Sequence, residues 1–368
     1  MKLDNETITG GQLTFAIGAF ILGSSLLTSF VLSVSAQDSW LMVLISTLIS
    51  FLIYWMYIVL SQKFPGKDLI EINDEVFGSI VGKIISLFYL YFFFSLAALN
   101  TKDVGNFVSG YVLPESPGPV VLVMFVFICA WAVRKGVSTM LRYGFLFTIM
   151  SVLFLGFSII FLIKDMHFGN FLPFLHLPIA TYLQSINIIT IIPFCEIVVF
   201  FMIFPHIDQP KKLKKSVLFG LLIGATMLFL IIARDTAVLG NTTNILSMPS
   251  YESVRIINIS NVITRTEILF AIAFLVLLFF KISIIYYAIV ITLARIFKLR
   301  TYRPIVYVTG IIIIVYALIT FDSPMENAFW GSNVAPIFSS LFEVLLPLIT
   351  LIIAQIRGFQ KPKEAVAR

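Results

Sequence analysis

Ile191-Ile192-Pro193-Phe194-Cys195-Glu196 puts a proline and a carboxylate inside a stretch that is otherwise apolar enough to cross a bilayer. From Ile179 to Phe204, Glu196 is the only carboxylate. Pro193 has no backbone N–H, and its ring collides with the carbonyl four residues back, here that of Ile189, so a helix must bend or open at this point. In hydrocarbon each unpaired backbone group costs several kcal/mol, so something polar has to use the freed carbonyls. A broken helix with an acid at mid-depth is the geometry of a small-solute or ion site in transporter-like folds.

The rest of the chain has the same character. At 59% hydrophobic, 15% aromatic and 12% charged residues over 368 positions, it is too apolar for a soluble domain and leaves no room for a separate one. At roughly 20 residues per crossing, ten apolar segments are expected. The first five are Leu13 to Val34, Trp40 to Leu60, Ile84 to Leu99, Pro119 to Val133 and Tyr143 to Ile163. The second five are Ile179 to Phe204, Val217 to Ala233, Ile268 to Ile296, Ile305 to Phe321 and Val334 to Ile356. The expected fold class is therefore all-α, a single polytopic membrane domain.

The net charge of +6 is distributed by loop rather than gathered into a nucleic-acid patch. With the N-terminus cytoplasmic, one side carries Lys2, Lys63, Lys67, Lys83, Arg134, Lys135, Arg142, Lys211, Lys212, Lys214, Lys215, Arg295, Lys298, Arg300, Arg303, Arg357, Lys361, Lys363 and Arg368. The other side holds Lys102, Lys164, Arg234, Arg255 and Arg265. This is the positive-inside pattern, and it places both termini in the cytoplasm. Val34-Ser35-Ala36 has the look of a signal-peptide cleavage site, but the apolar run before it is too long and Asp4 and Glu6 offset Lys2, so the first segment reads as a retained helix. Cys129 and Cys195 both lie in apolar runs and imply no disulfide framework.

Ten spans divide into two sets of five, 13 to 163 and 179 to 356. An odd-numbered repeat places its copies in opposite orientations, so the expectation is a 5+5 inverted repeat with spans one and six interrupted. Span six has Pro193, and span one has Gly18 and then Gly23-Ser24-Ser25, followed by Thr28 and Ser29. Close packing through small residues is the competing explanation for Gly-Ser-Ser. Between spans two and three, Asp68 to Phe77 reads as a short amphipathic helix. On the outer side, Met248-Pro249-Ser250-Tyr251 within Gly240 to Ile263 offers a helix start, and a helical lid over a vestibule and an ordinary ordered loop are both open readings of that segment. The glycosylation-type matches at Asn5, Asn241 and Asn258 carry no argument.

Two further charges lie deep in spans: Lys281, the sole charge of Ile268 to Ala294, and Glu343, alone in Val334 to Ile356 and four residues before Pro347. A central charge costs about 2.5–3.5 kcal/mol on insertion scales, so each should face the bundle interior, water or a partner. Glu196 and Lys281 are the attractive pair, and such a pair could act as a proton-linked switch. Glu196 lies eight residues before Phe204 and Lys281 thirteen before Ala294, which leaves a depth mismatch of roughly 8 Å at 1.5 Å per residue. A direct pair and a water-bridged one both stay open. His167, His176 and His206 lie at span ends without metal-ligand spacing, and no nucleotide loop or nucleophile motif appears, so no enzyme, cofactor or metal is expected.

Several dispersed motifs occur in a specific order: Gln12 with Gly23-Ser24, Ala36-Gln37-Asp38-Ser39-Trp40, Phe64-Pro65-Gly66, Val133-Arg134-Lys135-Gly136 through Arg142, and Pro193 to Glu196 leading into Phe204-Pro205. Pro249-Ser250, Val254-Arg255 and Phe280-Lys281 complete the set. In these the chain resembles, over essentially its full length, the B subunits of the nutrient germinant receptors of spore-forming bacteria. These are the GerAB-type spore germination permeases of the amino acid-polyamine-organocation superfamily. The resemblance implies a germinant-sensing subunit in the spore inner membrane that works with an A subunit and a lipoprotein C subunit. It also implies a small nutrient, expected to be an amino acid, held by the open backbone of spans one and six and closed in by spans three and eight. Carried onto this sequence, those positions are Gly23, Ser24, Ser25, Phe194, Cys195 and Glu196, with Asn100 and Thr101 from span three and Lys281 and Ser283 from span eight. A proton-coupled amino-acid transporter, an ion or water conduit and a scaffold for a ligand-binding partner remain rival readings.

Overall fold

The computed structural model describes residues 6–24, 28–257 and 266–359. Ser25, Asn5 and Asn258 lie outside the described residues. Among those described, the chain is helical, with an isolated bridge between Ile8 and Ile207. Among the described residues, seven helices are long and apolar enough to cross a membrane: Ser29–Lys63, Ser79–Val112, Val137–Leu162, Ile179–Met202, Pro210–Thr243, Glu267–Ile296 and Ala335–Ile356. Gly10–Leu22 and Gly118–Arg134 are shorter apolar helices, and Arg303–Ile319 meets Pro324–Asn333 at a 98° bend. The outward faces are apolar. Leu48, Leu52, Leu153, Ile160 and Ile311 are each more than half exposed, a surface that water would penalise and lipid would not. The chain is a multi-pass membrane protein.

The first apolar segment does not run as one helix. Gly10–Leu22 ends at Gly23, whose N–H donates to Ala19 O at 3.0 Å, and helix resumes at Thr28–Ser35. Gly18, expected to contribute to the interruption, lies inside Gly10–Leu22 and faces Ile223, so the helix stops five residues later. Although Thr28–Ser35 and Ser39–Lys63 are contiguous, they are not collinear. Ser39 Oγ donates to Val31 O at 3.2 Å, whereas residues eight apart on a straight helix are separated by about 12 Å. The chain reverses over Ala36–Asp38, with Ala36 at φ 47°, and Ser35 Oγ then meets Ser185 Oγ at 2.8 Å, setting Thr28–Ser35 beside Ile179–Ile189.

Small residues bring the central helices together. A Cβ added at Gly220 or Gly224 would lie 2.7 Å from Ile17 or Ile21, so only glycine lets Leu213–Leu239 approach Gly10–Leu22 this closely. Leu69–Phe77 forms as its sequence predicts. Asp68 and Glu71 make a reciprocal capping box, and Arg295 clips both acids to the end of Glu267–Ile296 at 2.7 and 2.8 Å.

Pro249–Arg255 is helical, and its anchor is a pair of residues the sequence placed beyond a span. Leu213–Leu239 continues past Ala233, so Arg234 and Asp235 are buried rather than loop charges. Asp235 takes the Arg234 guanidinium at 2.6 Å and the hydroxyls of Ser250 and Ser253 at 2.5 and 2.8 Å, while Arg234 also donates to Ser158 Oγ at 2.8 Å.

Candidate functional site

Around Pro193 the helix changes gauge instead of coming apart. Ile179–Ile189 is α-helical, Thr190–Phe194 forms a π turn, and Cys195–Met202 is wound as a 3-10 helix. Two tyrosines of Ser39–Lys63 bond to carbonyls of the rewound stretch. Tyr54 OH donates to Phe194 O at 2.8 Å, and the Tyr57 hydroxyl is shared between Cys195 O at 3.3 Å and Glu343 O at 2.5 Å. All residues from Thr190 to Met202 are buried, so these bonds replace water that cannot reach the carbonyls. Pi turns recur at functional sites because they rotate the following side chains relative to the helix before them.

The gauge change also resolves the depth mismatch between Glu196 and Lys281. A 3-10 helix rises about 2.0 Å per residue against 1.5 Å for an α-helix. The six residues from Glu196 to the end of the 3-10 helix at Met202 therefore lift the acid by about 3 Å more than an α-helix would, and the lysine stem spans the remainder. Lys281 Nζ lies 2.5 Å from Glu196 Oε2, with side chains 1% and 4% exposed. The ammonium also donates to Ser24 Oγ at 2.6 Å, and Ser24 Oγ donates onward to Glu196 Oε2 at 3.4 Å. Phe20 lies beneath the cation, its ring centroid 5.4 Å from Nζ. Residues from Gly10–Leu22 and its end, from the rewound segment and from Glu267–Ile296 thus close one buried charge cluster.

Gly23 permits that closure. A Cβ there would lie 2.9 Å from Lys281 Cβ and 3.1 Å from Leu277 O, the second a backbone atom that cannot turn aside. Gly23→Ala is therefore expected to destabilise the chain by about 1–3 kcal/mol, as overpacking does. Thermal unfolding of the purified protein measures this, and an unchanged midpoint would show the helix ends free to move apart.

Beside the cluster is a cavity of about 60 Å³, counted as space open to the centre of a water molecule. Its polar lining is Ser24, Asn100, Asp103, Glu196, Lys281, Asn327 and Ser339, and Phe30, Leu96, Ile192 and Trp330 are among its apolar walls. A single water needs about 10–15 Å³ of such space, so this conformation has room for about four to six waters beside a polar centre. Asp103 Oδ1 accepts from Asn327 Nδ2 at 2.8 Å, forming a second polar contact 224 positions apart in sequence.

Of the candidate residues, Gly23, Ser24, Asn100, Glu196 and Lys281 line this cavity. Phe194 and Cys195 are fully buried outside its lining and take part through their carbonyls. Thr101 is buried in the same helix but does not reach the cavity, and Ser283 lines a separate crevice with Trp131, Tyr143 and Phe280. Asp103, Asn327 and Trp330 were not singled out from the sequence. Asp103 lies beyond the apolar run that ends at Leu99, yet Leu96, Asn100 and Asp103 recur at helical spacing, and that stripe was the available signal. Nothing local in Pro324–Asn333 points to Asn327.

This arrangement of helices is a membrane-transporter fold. It superposes with a TM-score of 0.65 on Mhp1, a nucleobase-cation-symport-1 family transporter in a closed conformation with bromovinylhydantoin bound, covering 97% of this chain and 85% of that one at 13% identity. Within that fold, residues 7–325 match the profile of the spore germination proteins, and the chain belongs to the spore germination permease family. Spore germination protein KB of Bacillus subtilis (strain 168) is 28% identical over 357 residues, 96% of this chain and 95% of the relative. Spore germination protein YndE of the same organism is 22% identical over 359 residues, 95% and 97% of the two chains.

Proposed function

We propose that this chain is the nutrient-sensing permease subunit of a germinant receptor. It binds a small nutrient, an amino acid, in the cavity beside Glu196 and Lys281 and passes the resulting change of shape to an A subunit and a lipoprotein C subunit in the spore inner membrane. One observation carries the reading: a buried acid, a buried ammonium and a hydroxyl meet at the wall of a polar cavity. A zwitterion offers each of those groups a replacement partner, its carboxylate for Lys281 and Ser24 and its ammonium for Glu196 and Asp103. Binding then favours the conformation in which the internal pair has parted, and a ligand shifts a two-state equilibrium only through such differential contacts.

The topology proposed with it has ten spans. Gly10–Leu22 and Thr28–Ser35 form a broken first span, Gly118–Arg134 and Arg303–Ile319 count as one span each, and the reversal at Ala36–Asp38 separates the first span from the second. The halves 13 to 163 and 179 to 356 are then inverted repeats with both termini cytoplasmic, as the loop charges favour.

Calorimetric titration of the purified chain with a panel of amino acids tests the site. Saturable binding of one of them, weakened at least about tenfold (about 1.4 kcal/mol) by Glu196→Gln, is expected. Binding left unchanged by Glu196→Gln would place the ligand elsewhere. Concentrative uptake of that amino acid by vesicles holding this chain alone would identify a transporter instead of a sensor.

A further inference from the structure

A further buried acid, Glu343, takes no part in the proposed binding step. Glu343 lies on a second π turn, Leu341–Leu345, set between Ala335–Ser340 and Leu346–Ile356 and packed against the rewound segment Cys195–Met202. Tyrosines join the two irregular segments. Tyr57 OH lies between Cys195 O and Glu343 O, Tyr89 OH donates to Phe342 O at 3.0 Å, and the Phe342 ring stacks on Phe92 at 4.7 Å. The Glu343 side chain is fully buried, and among the described residues neither carboxyl oxygen has a hydrogen-bond partner.

Each ionisable group facing it is already committed or of the wrong sign. Tyr54 and Tyr57 from Ser39–Lys63 and Tyr89 from Ser79–Phe107 give their protons to backbone carbonyls. Cys195 from the rewound segment is a buried neutral thiol, Lys281 is held by Glu196 and Ser24, and the Glu196 carboxylate repels a second negative charge. An ionised carboxylate in such a place would cost several kcal/mol even after relaxation. A metal or alkali cation would need a shell of oxygen ligands, and the sealed carboxyl does not offer one. The cation that fits without a shell is a proton.

We propose that Glu343 is a proton-binding site of this conformation, holding one proton between its own π turn and the rewound segment Cys195–Met202 and yielding it to water when the two part. The Tyr57 hydroxyl joins the backbone of the segment carrying Glu196 to the backbone of Glu343 itself. Motion that opens the Glu196–Lys281 pair therefore pulls on the turn that seals Glu343. As the two part, the carboxyl O–H bond breaks, the proton passes to entering water, and the carboxylate left behind is solvated. By linkage, alkaline pH then favours the open form. The site stands on its own whether or not the cavity binds an amino acid.

Infrared difference spectroscopy of the full purified chain tests the held proton. A neutral-carboxyl C=O band that shifts in D₂O is expected at neutral pH in the wild type. It should persist in Glu196→Gln and Asp103→Asn and vanish in Glu343→Gln. Absence of the band from the wild type, or its survival in Glu343→Gln, overturns the proposal. If Glu343→Gln does not fold, Glu343→Asp must move the band, and an unmoved band overturns it equally. Alkylation of Cys195 in a Cys129→Ala background tests the coupling. The ratio of the wild-type rate to that of Glu343→Gln should climb with pH, by at most tenfold per unit for one proton, and a flat ratio refutes the link.

Discussion

Lys281→Met is expected to lower the stability of the chain by about 3–5 kcal/mol, because it leaves the Glu196 carboxylate buried and uncompensated. Among the described residues, Ser24 alone would remain to Glu196, through a long 3.4 Å hydrogen bond. The double variant Lys281→Met with Glu196→Gln should recover most of that loss, since removing both charges of a buried pair is often nearly neutral. The two changes together form a mutant cycle whose coupling energy reports the pair itself. Thermal unfolding of the purified variants in one detergent gives the stability side, and titration with the nutrient gives the functional side. Stability should return in the double variant while nutrient binding stays weak, which separates the structural work of the pair from its recognition work. A single Lys281→Met variant as stable as the wild type would show that the pair contributes nothing the fold needs.

Asp235→Ala should be comparably severe for a related reason. It strips the Arg234 guanidinium, 2% exposed, of its carboxylate and takes an acceptor from the hydroxyls of Ser250 and Ser253. The expected cost is again about 3–5 kcal/mol, with the local consequence that Pro249–Arg255 loses its hold on Leu213–Leu239. Hydrogen exchange over 249–255 should then rise well before the rest of the chain opens, whereas Asp235→Asn, which keeps one oxygen acceptor, should do less. Protection at 249–255 that matches the wild type in Asp235→Ala would show that this helix is held by its apolar contacts alone.

Both predictions concern buried charges, and the two clusters were unequally visible in the sequence. Glu196 and Lys281 stand isolated within long apolar runs, where a charge is expensive enough to signal a purpose. Arg234 and Asp235 follow Ala233 at the end of such a run, where charges mark the limit of a span in most helices, and their burial depends on a helix that continues to Leu239. Asp103 is hidden in the same way, beyond Leu99. The short helix behind Asp68 was legible because its capping box is local, four consecutive positions long. The contact of Asn327 with Asp103 has no local signature, since only the path of the chain through the 98° bend brings Pro324–Asn333 to the cavity.

Sequence by itself determined the membrane class, the family, the place of the proline and the residues whose charge could not face lipid. These are consequences of composition, of ordered motifs and of transfer free energies, which attach to residues one at a time. Tertiary structure decided how the proline is accommodated and whether the acid and the lysine meet. Tyr54 and Tyr57, some 140 positions away, bond to the carbonyls of Phe194 and Cys195 just past Pro193, and with those bonds available the segment rewinds as π and 3-10 turns instead of unravelling. That rewinding changes the rise per residue and carries Glu196 toward Lys281. Hydrogen-bond partners distant in the chain choose the helical gauge, and the gauge fixes the depth at which each side chain stands.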